Sequence, residues 1–142
     1  MSDLIYIDGA YGEGGGQIIR TAVALAALTG RPVEITRIRA RRSNPGLQRQ
    51  HLAAVHAAAA LCEAEVAGDG VGSSWLRFCP QRAPCADTYR HEVGSAGAAT
   101  LVLQTVLLPL AGAGGTSRVH IIGGTHVPHA PVTEYLETVY QP

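Results

Sequence analysis

The sequence predicts an α+β fold assembled from βαβαββ units, each a four-stranded sheet with two helices on one face. Three observations carry this. Segments of strand length and helix length alternate from Leu4 to Cys79, separated by Gly and Pro. Two short strands then close the first unit. Part of the same order recurs 84 positions later.

Residues 3 to 8 read as a strand. It runs into a loop with five glycines, Asp8-Gly9-Ala10-Tyr11-Gly12-Glu13-Gly14-Gly15-Gly16, that opens directly into an apolar helix over 17 to 29. Gly30 and Pro32 form the stop signal of that helix. Residues 33 to 42 (Val-Glu-Ile-Thr-Arg-Ile-Arg-Ala-Arg-Arg) alternate well enough to predict a strand with an arginine-bearing face. Asn44-Pro45-Gly46 is a turn, Leu47 to Glu63 an alanine-rich helix, and 64 to 69 and 74 to 79 two short strands. Shifted by 84, Arg20-Thr21 falls on Gln104-Thr105, Ile35 and Ile38 on Val119 and Ile122, Arg42 on His126, and Gln50-His51 on Glu134-Tyr135. The expected division is a complete unit over 1–88 and a second over 89–142 that carries βαβα and lacks its closing strands.

Bulk properties set limits. A content of 46% hydrophobic and 15% charged residues describes a compact protein and argues against disorder. No apolar run approaches the ~20 residues of a membrane span. Net charge near zero gives no global attraction to nucleic acid, but Arg31, Arg37, Arg39, Arg41, Arg42 and Arg49 fall close together. The chain has no Lys; arginine suits bidentate phosphate contacts, although a GC-rich coding genome explains the bias equally well. Cys62, Cys79 and Cys85 form an odd set with no secretory signal, so reduced thiols in a cytoplasmic protein are expected, and their spacing is poor for zinc.

The glycine loop is the strongest chemical signal. Glycines let backbone approach a ligand closely, and the first amides of the following helix are unpaired donors that favour anions. A lone carboxylate, Glu13, has no use in a phosphate cradle unless it holds a divalent cation or moves a proton; alternatively it is a solvated loop acid. Arg20, one turn into the helix, either snorkels to the surface or aims back at the loop's ligand. Arg37, Arg39, Arg41 and Arg42 read as solvated charges or as a phosphate or RNA-backbone track. Gln50 and His51 open the second helix, the histidine being either a cap or a phosphate ligand. His126 and His129 have metal-like spacing in a Pro-containing loop, a weak signal alone. Ser95 lacks a nucleophile-elbow context.

Four stretches, IDGAYGEGGGQIIRTA, IRARRSNPGLQRQHLAAV, VGSAGAATLVLQTVL and IIGGTHVPHAP, resemble the RNA 3′-terminal phosphate cyclases over nearly the whole chain. The resemblance implies ATP-dependent conversion of an RNA 3′-phosphate into a 2′,3′-cyclic phosphate, through an adenylated enzyme histidine and an RNA adenylate, with Mg or Mn. It also implies the βαβαββ repeat fold shared with enolpyruvyl transferases. Carried over position by position, Glu13 is the metal- and ATP-site acid. Arg20, Arg39, Arg42, Gln50 and His51 support phosphate binding and activity. Gln104 and Pro131 line the ATP site, with Gly14 and Gly15 in the nucleotide-binding loop. None of the six histidines matches the adenylated one, expected beyond Pro142, so the chain resembles the N-terminal portion of a cyclase and is expected to be inactive alone. The alternatives are a non-catalytic RNA-binding or ribosome-assembly relative and an enolpyruvyl-type transferase, the latter disfavoured by the lack of lysine. An incomplete second sheet would expose an edge open to self-association.

Overall fold

The computed structural model describes residues 3–125 together with 135, 137 and 138, and the side chains of all of these except 95–97. Strand β1 (Ile5–Asp8) leads through the glycine loop into helix α1 (Gly16–Thr29), which returns to β2 (Val33–Thr36). Helix α2 (Arg49–Cys62) and strands β3 (Glu65–Ala67) and β4 (Leu76–Cys79) complete a sheet of order β1-β2-β4-β3. The β1–β2 pair is parallel; β4 runs antiparallel to both β2 and β3. The expected βαβαββ order of the first unit is therefore present.

Helix α1 buries Ile19, Ala22, Val23, Ala26 and Ala27, the i, i+3, i+4, i+7, i+8 pattern of a helix face turned to a core. It ends where expected: Gly30 adopts φ 72°, and its N–H donates to Ala26 O at 2.8 Å. Against α1 lie Val33 and Ile35 of β2, Leu76 and Phe78 of β4, and Val55, Ala58 and Cys62 of α2. Helix α2 has a second apolar face. Its Ala54, Ala57 and Leu61 pack with Tyr89 and Val93 of β5 (Thr88–Ala98) and Val102 and Val106 of α3 (Ala99–Ala113). Sandwiched between two layers, α2 needs small apolar residues on two faces, which accounts for its run of alanines; His56 and Ala60 stay exposed.

The second unit follows with β5, α3 and β6 (Arg118–Gly124), β5 and β6 pairing in parallel as β1 and β2 do. Ile5 pairs with Val33 and Tyr89 with Val119, so the offset of 84 on the first strand becomes 86 on the second. Ile35 thus corresponds to Ile121 rather than to Val119, two residues along on the same face. Among the described residues β6 pairs only with β5. Tyr135, Glu137 and Thr138 are helical, and the residues ahead of them lie outside the described ones. No helix among the described residues is long and apolar enough to cross a membrane.

One expected element is not formed. The arginine-bearing strand through residue 42 stops at Thr36, because Arg37 and Arg39 adopt φ 52° and 51°, in the left-handed region. The apolar spacing foreshadows this: Val33 to Ile35 is two residues, Ile35 to Ile38 three. Ile38 is nevertheless buried, its N–H donating to Ser74 O at 2.9 Å. The chain therefore turns around Ile38, and the arginines fan out from a loop.

Candidate functional site

A cleft of about 910 Å³ opens where the glycine loop, the N-terminus of α1, the 37–46 loop and the start of α2 meet the N-terminus of α3. Its walls include Glu13, Gly14, Gly15, Arg20, Arg39, Arg42, Gln50 and His51, the residues singled out in the sequence; Ala98 and Leu101 contribute from the second unit. Gln104 lies in an adjoining groove of about 380 Å³ between α1 and α3, with Ala24, Thr105 and Leu108. Gln17, Arg20, Thr21 and Leu25 line both, so the groove continues the cleft. Pro131, His126 and His129 lie outside the described residues.

The floor is the start of α1. Gly15 is the N-cap residue, no side chain caps the helix, and its first turn carries no acid. The amides at Gly16, Gln17 and Ile18 thus face the cleft as free donors with the positive end of the helix dipole behind them. Gly16 has to be glycine here. A β-carbon on it would overlap His51 Nε2, lie 2.6 Å from His51 Cδ2 and stand 3.0 Å from Arg20 Nη1. A β-carbon on Gly15 would come 2.9 Å from Arg42 Nη2. Gly14 turns the loop at φ 59°.

His51 closes one wall. Only 2% exposed, it accepts the Gln48 N–H at Nδ1 (2.9 Å), while the Gln48 side chain caps the His51 backbone, a reciprocal capping box. Burial foremost, then the charges of Arg39 and Arg20, bring its pKa down to about 4. The ring is therefore neutral near pH 7. With Nδ1 accepting, its proton sits on Nε2, the nitrogen beside Gly16. The capping expectation for this residue holds, and its ring also lines the cleft.

The four arginines of the 37–42 segment divide by task. Arg37 pairs with Asp8 Oδ2 at 3.0 Å. Arg41 donates through Nη2 to the carbonyls of Ala10 and Gly12, bracing the glycine loop from behind. Asp8 Oδ1 accepts the Ala10 N–H at 2.9 Å, so the two loops are cross-tied on both sides. Arg39 donates Nη1 to the carbonyls of Asn44 (2.5 Å) and Gly46 (2.9 Å), keeping its charge without a carboxylate partner among the described residues. Burial, then Arg42, lowers its pKa. Arg20 is likewise lowered by burial. Strained cations of this kind are relieved by an incoming anion. The bracing role of Arg41 has no local signal: it alternates with the cleft arginines, and periodicity assigns all of them to a strand face.

Glu13 stands exposed in the same cleft. Among the described residues no three His, Cys, Asp or Glu side chains gather around a metal position. A single carboxylate fits a magnesium-like ion, which takes one or two protein oxygens and fills its shell with phosphate and water.

A protein-family model described as RNA 3′-terminal phosphate cyclase matches residues 11–142. Curated relatives of the same description are 53% identical in a Nostoc species, 55% in Methylococcus capsulatus and 51% in Salmonella typhimurium. The match covers 98%, 98% and 100% of this chain, and 42%, 40% and 42% of those proteins. The chain thus spans about two-fifths of the length of the relatives it matches, and by this likeness it belongs to the RNA 3′-terminal phosphate cyclase family.

Proposed function

We propose that this chain forms the phosphate- and metal-binding part of an ATP-dependent RNA 3′-terminal phosphate cyclase. One observation carries the reading: a single acid, Glu13, converges in one cleft with the uncapped start of α1 and the three arginines Arg20, Arg39 and Arg42. Donors fixed before the ligand arrives favour the charge that develops on phosphoryl oxygens during transfer. The α1 amides, Gln50 and the Nε2–H of His51 supply neutral donors, and the guanidiniums supply charge. Glu13 would hold a divalent ion, Mg or Mn, which would supply positive charge to neutralise phosphate oxygens. The groove beside Gln104, lined by Ala24, Leu25 and Leu108, suits the flat apolar faces of adenine. Gly14 and Gly15 line the cleft and are assigned to the nucleotide's phosphates; Pro131 is assigned to the ATP site by the resemblance alone.

The resemblance assigns covalent adenylation to a histidine matched by none of the six in this sequence, and the site described above is one for binding. Titration with ATP, with and without Mg or Mn, and with oligoribonucleotides ending in 3′-phosphate or 3′-hydroxyl tests the reading. The metal-dependent part of ATP binding should disappear in Glu13→Ala, and the 3′-phosphate end should bind more tightly than the hydroxyl. RNA binding that ignores the end group, with no ATP binding, would favour the non-catalytic RNA-binding alternative. An acid-stable labelled adenylate on this chain would overturn the assignment of that step.

A further inference from the structure

Tyr11 is 80% exposed, yet it lines the same cleft as Glu13, Arg39 and Arg42. A single exposed aromatic on open surface means little. The setting of this one is different. Its backbone is pinned at both ends, the N–H donating to Asp8 O at 3.2 Å and the carbonyl accepting the Gly14 N–H at 2.9 Å. The Arg41 brace holds the carbonyls on either side, those of Ala10 and Gly12. The phenol ring is thus presented by a fixed loop at the Glu13 end of a cationic cleft, away from the Gln104 groove, which it does not line.

We propose that Tyr11 is a stacking platform for the nucleobase of the RNA's 3′-terminal nucleotide, a subsite that sets how tightly the end is held. The inference rests on the phosphate-binding reading above. A ring face next to a phosphate cradle is what an unpaired terminal nucleotide presents itself to: the phosphate enters among the arginines and the α1 amides, and the base lies back over the loop. Two bases could use the ring, that of the RNA end and the adenine of ATP. The apolar groove beside Gln104 offers adenine its own surface, at the α1–α3 side of the cleft, so the RNA base is assigned to Tyr11.

The test is binding of short 3′-phosphorylated oligoribonucleotides to wild type, Tyr11→Ala and Tyr11→Phe, with a matched oligonucleotide whose last residue lacks its base, and with ATP. Tyr11→Ala should weaken binding of the base-bearing RNA by roughly fivefold to a hundredfold, the range of a lost stacking contact. Tyr11→Phe should retain most of it. The abasic end and ATP should be indifferent to the substitution. Equal affinity of wild type and Tyr11→Ala for the base-bearing end, or an equal loss for the abasic end, overturns the proposal. A loss confined to ATP overturns the assignment to RNA. Indifference to the 3′-phosphate, by contrast, overturns the underlying phosphate reading, while the base-against-abasic comparison still judges Tyr11. The ring is exposed, so none of these variants threatens the fold.

Discussion

Substituting Gly16 by alanine sets two effects of opposite sign against each other. In an ordinary helix first turn alanine is better than glycine by about 1 kcal/mol, and the backbone at Gly16 is not in the left-handed region. Here, however, the added methyl overlaps His51 Nε2 and lies 2.6 Å from Cδ2. The Arg20 tip, 3.0 Å away, can swing aside; the His51 ring is buried and tied by Nδ1 to Gln48. Moving it sacrifices a capping bond worth about 1 kcal/mol and forces overpacking worth about 1–3 kcal/mol. The expected net loss is about 2 kcal/mol, which lowers Tm by roughly 8 °C in a chain of this size. Thermal and urea unfolding of wild type, Gly16→Ala, His51→Ala and the double variant reads the cycle. In the His51→Ala background the obstacle is gone, and Gly16→Ala should turn stabilising by about 0.5–1 kcal/mol. The same sign in both backgrounds would refute the claim that His51 dictates glycine at this position.

Two further outcomes follow from the same geometry. His51 has a folded pKa of about 4 against an ordinary 6.5, so the unfolded chain takes up the proton first; its contribution to stability is whole above about pH 6.5, declines as pH falls from there towards 4, and should flatten in His51→Ala, as pH-dependent urea unfolding would show. Arg41→Ala should cost about 1 kcal/mol and speed amide exchange at Gly14, with Arg41→Lys retaining part of the protection; unchanged exchange would remove Arg41 from any bracing role.

The sequence was legible where a residue's backbone preference decides the outcome. Gly30 with Pro32 stopped α1 at the residue expected, and the glycine loop does enter an apolar helix, with Glu13 on the cleft beside it. It was illegible where a long-range contact overrides local preference. Alternation drew a strand through Arg37 and Arg39, but both are held at positive φ by partners the local pattern does not reveal, Asp8 for one and the Asn44 and Gly46 carbonyls for the other. Gln104 lies in the groove that adjoins the cleft, a place that depends on how α1 packs beside α3 and that no local pattern shows. Tyr11 left no mark in the pattern at all: an exposed ring in a glycine-rich loop has neither period nor partner.

The two units differ where the first strand passes into the helix. Both run strand, helix, parallel strand, yet in the first unit the chain leaves the sheet at Asp8, whereas β5 stays paired with β6 as far as Ala98 through register shifts at Gly94. The second unit therefore lacks a free loop ahead of its helix. At the helix start Thr100 stands where the first unit has Gly16, so the position carries a side chain; one turn on, the neutral Gln104 replaces Arg20. The glycine at the helix start and the charge one turn on are thus both replaced. What the second unit retains is the bare start of α3, and Ala98 and Leu101 there form the far wall of the first unit's cleft. Packing α2 between the two layers fixes that wall in place, so the rigidity of the site is inherited from the alanine-rich core beneath it.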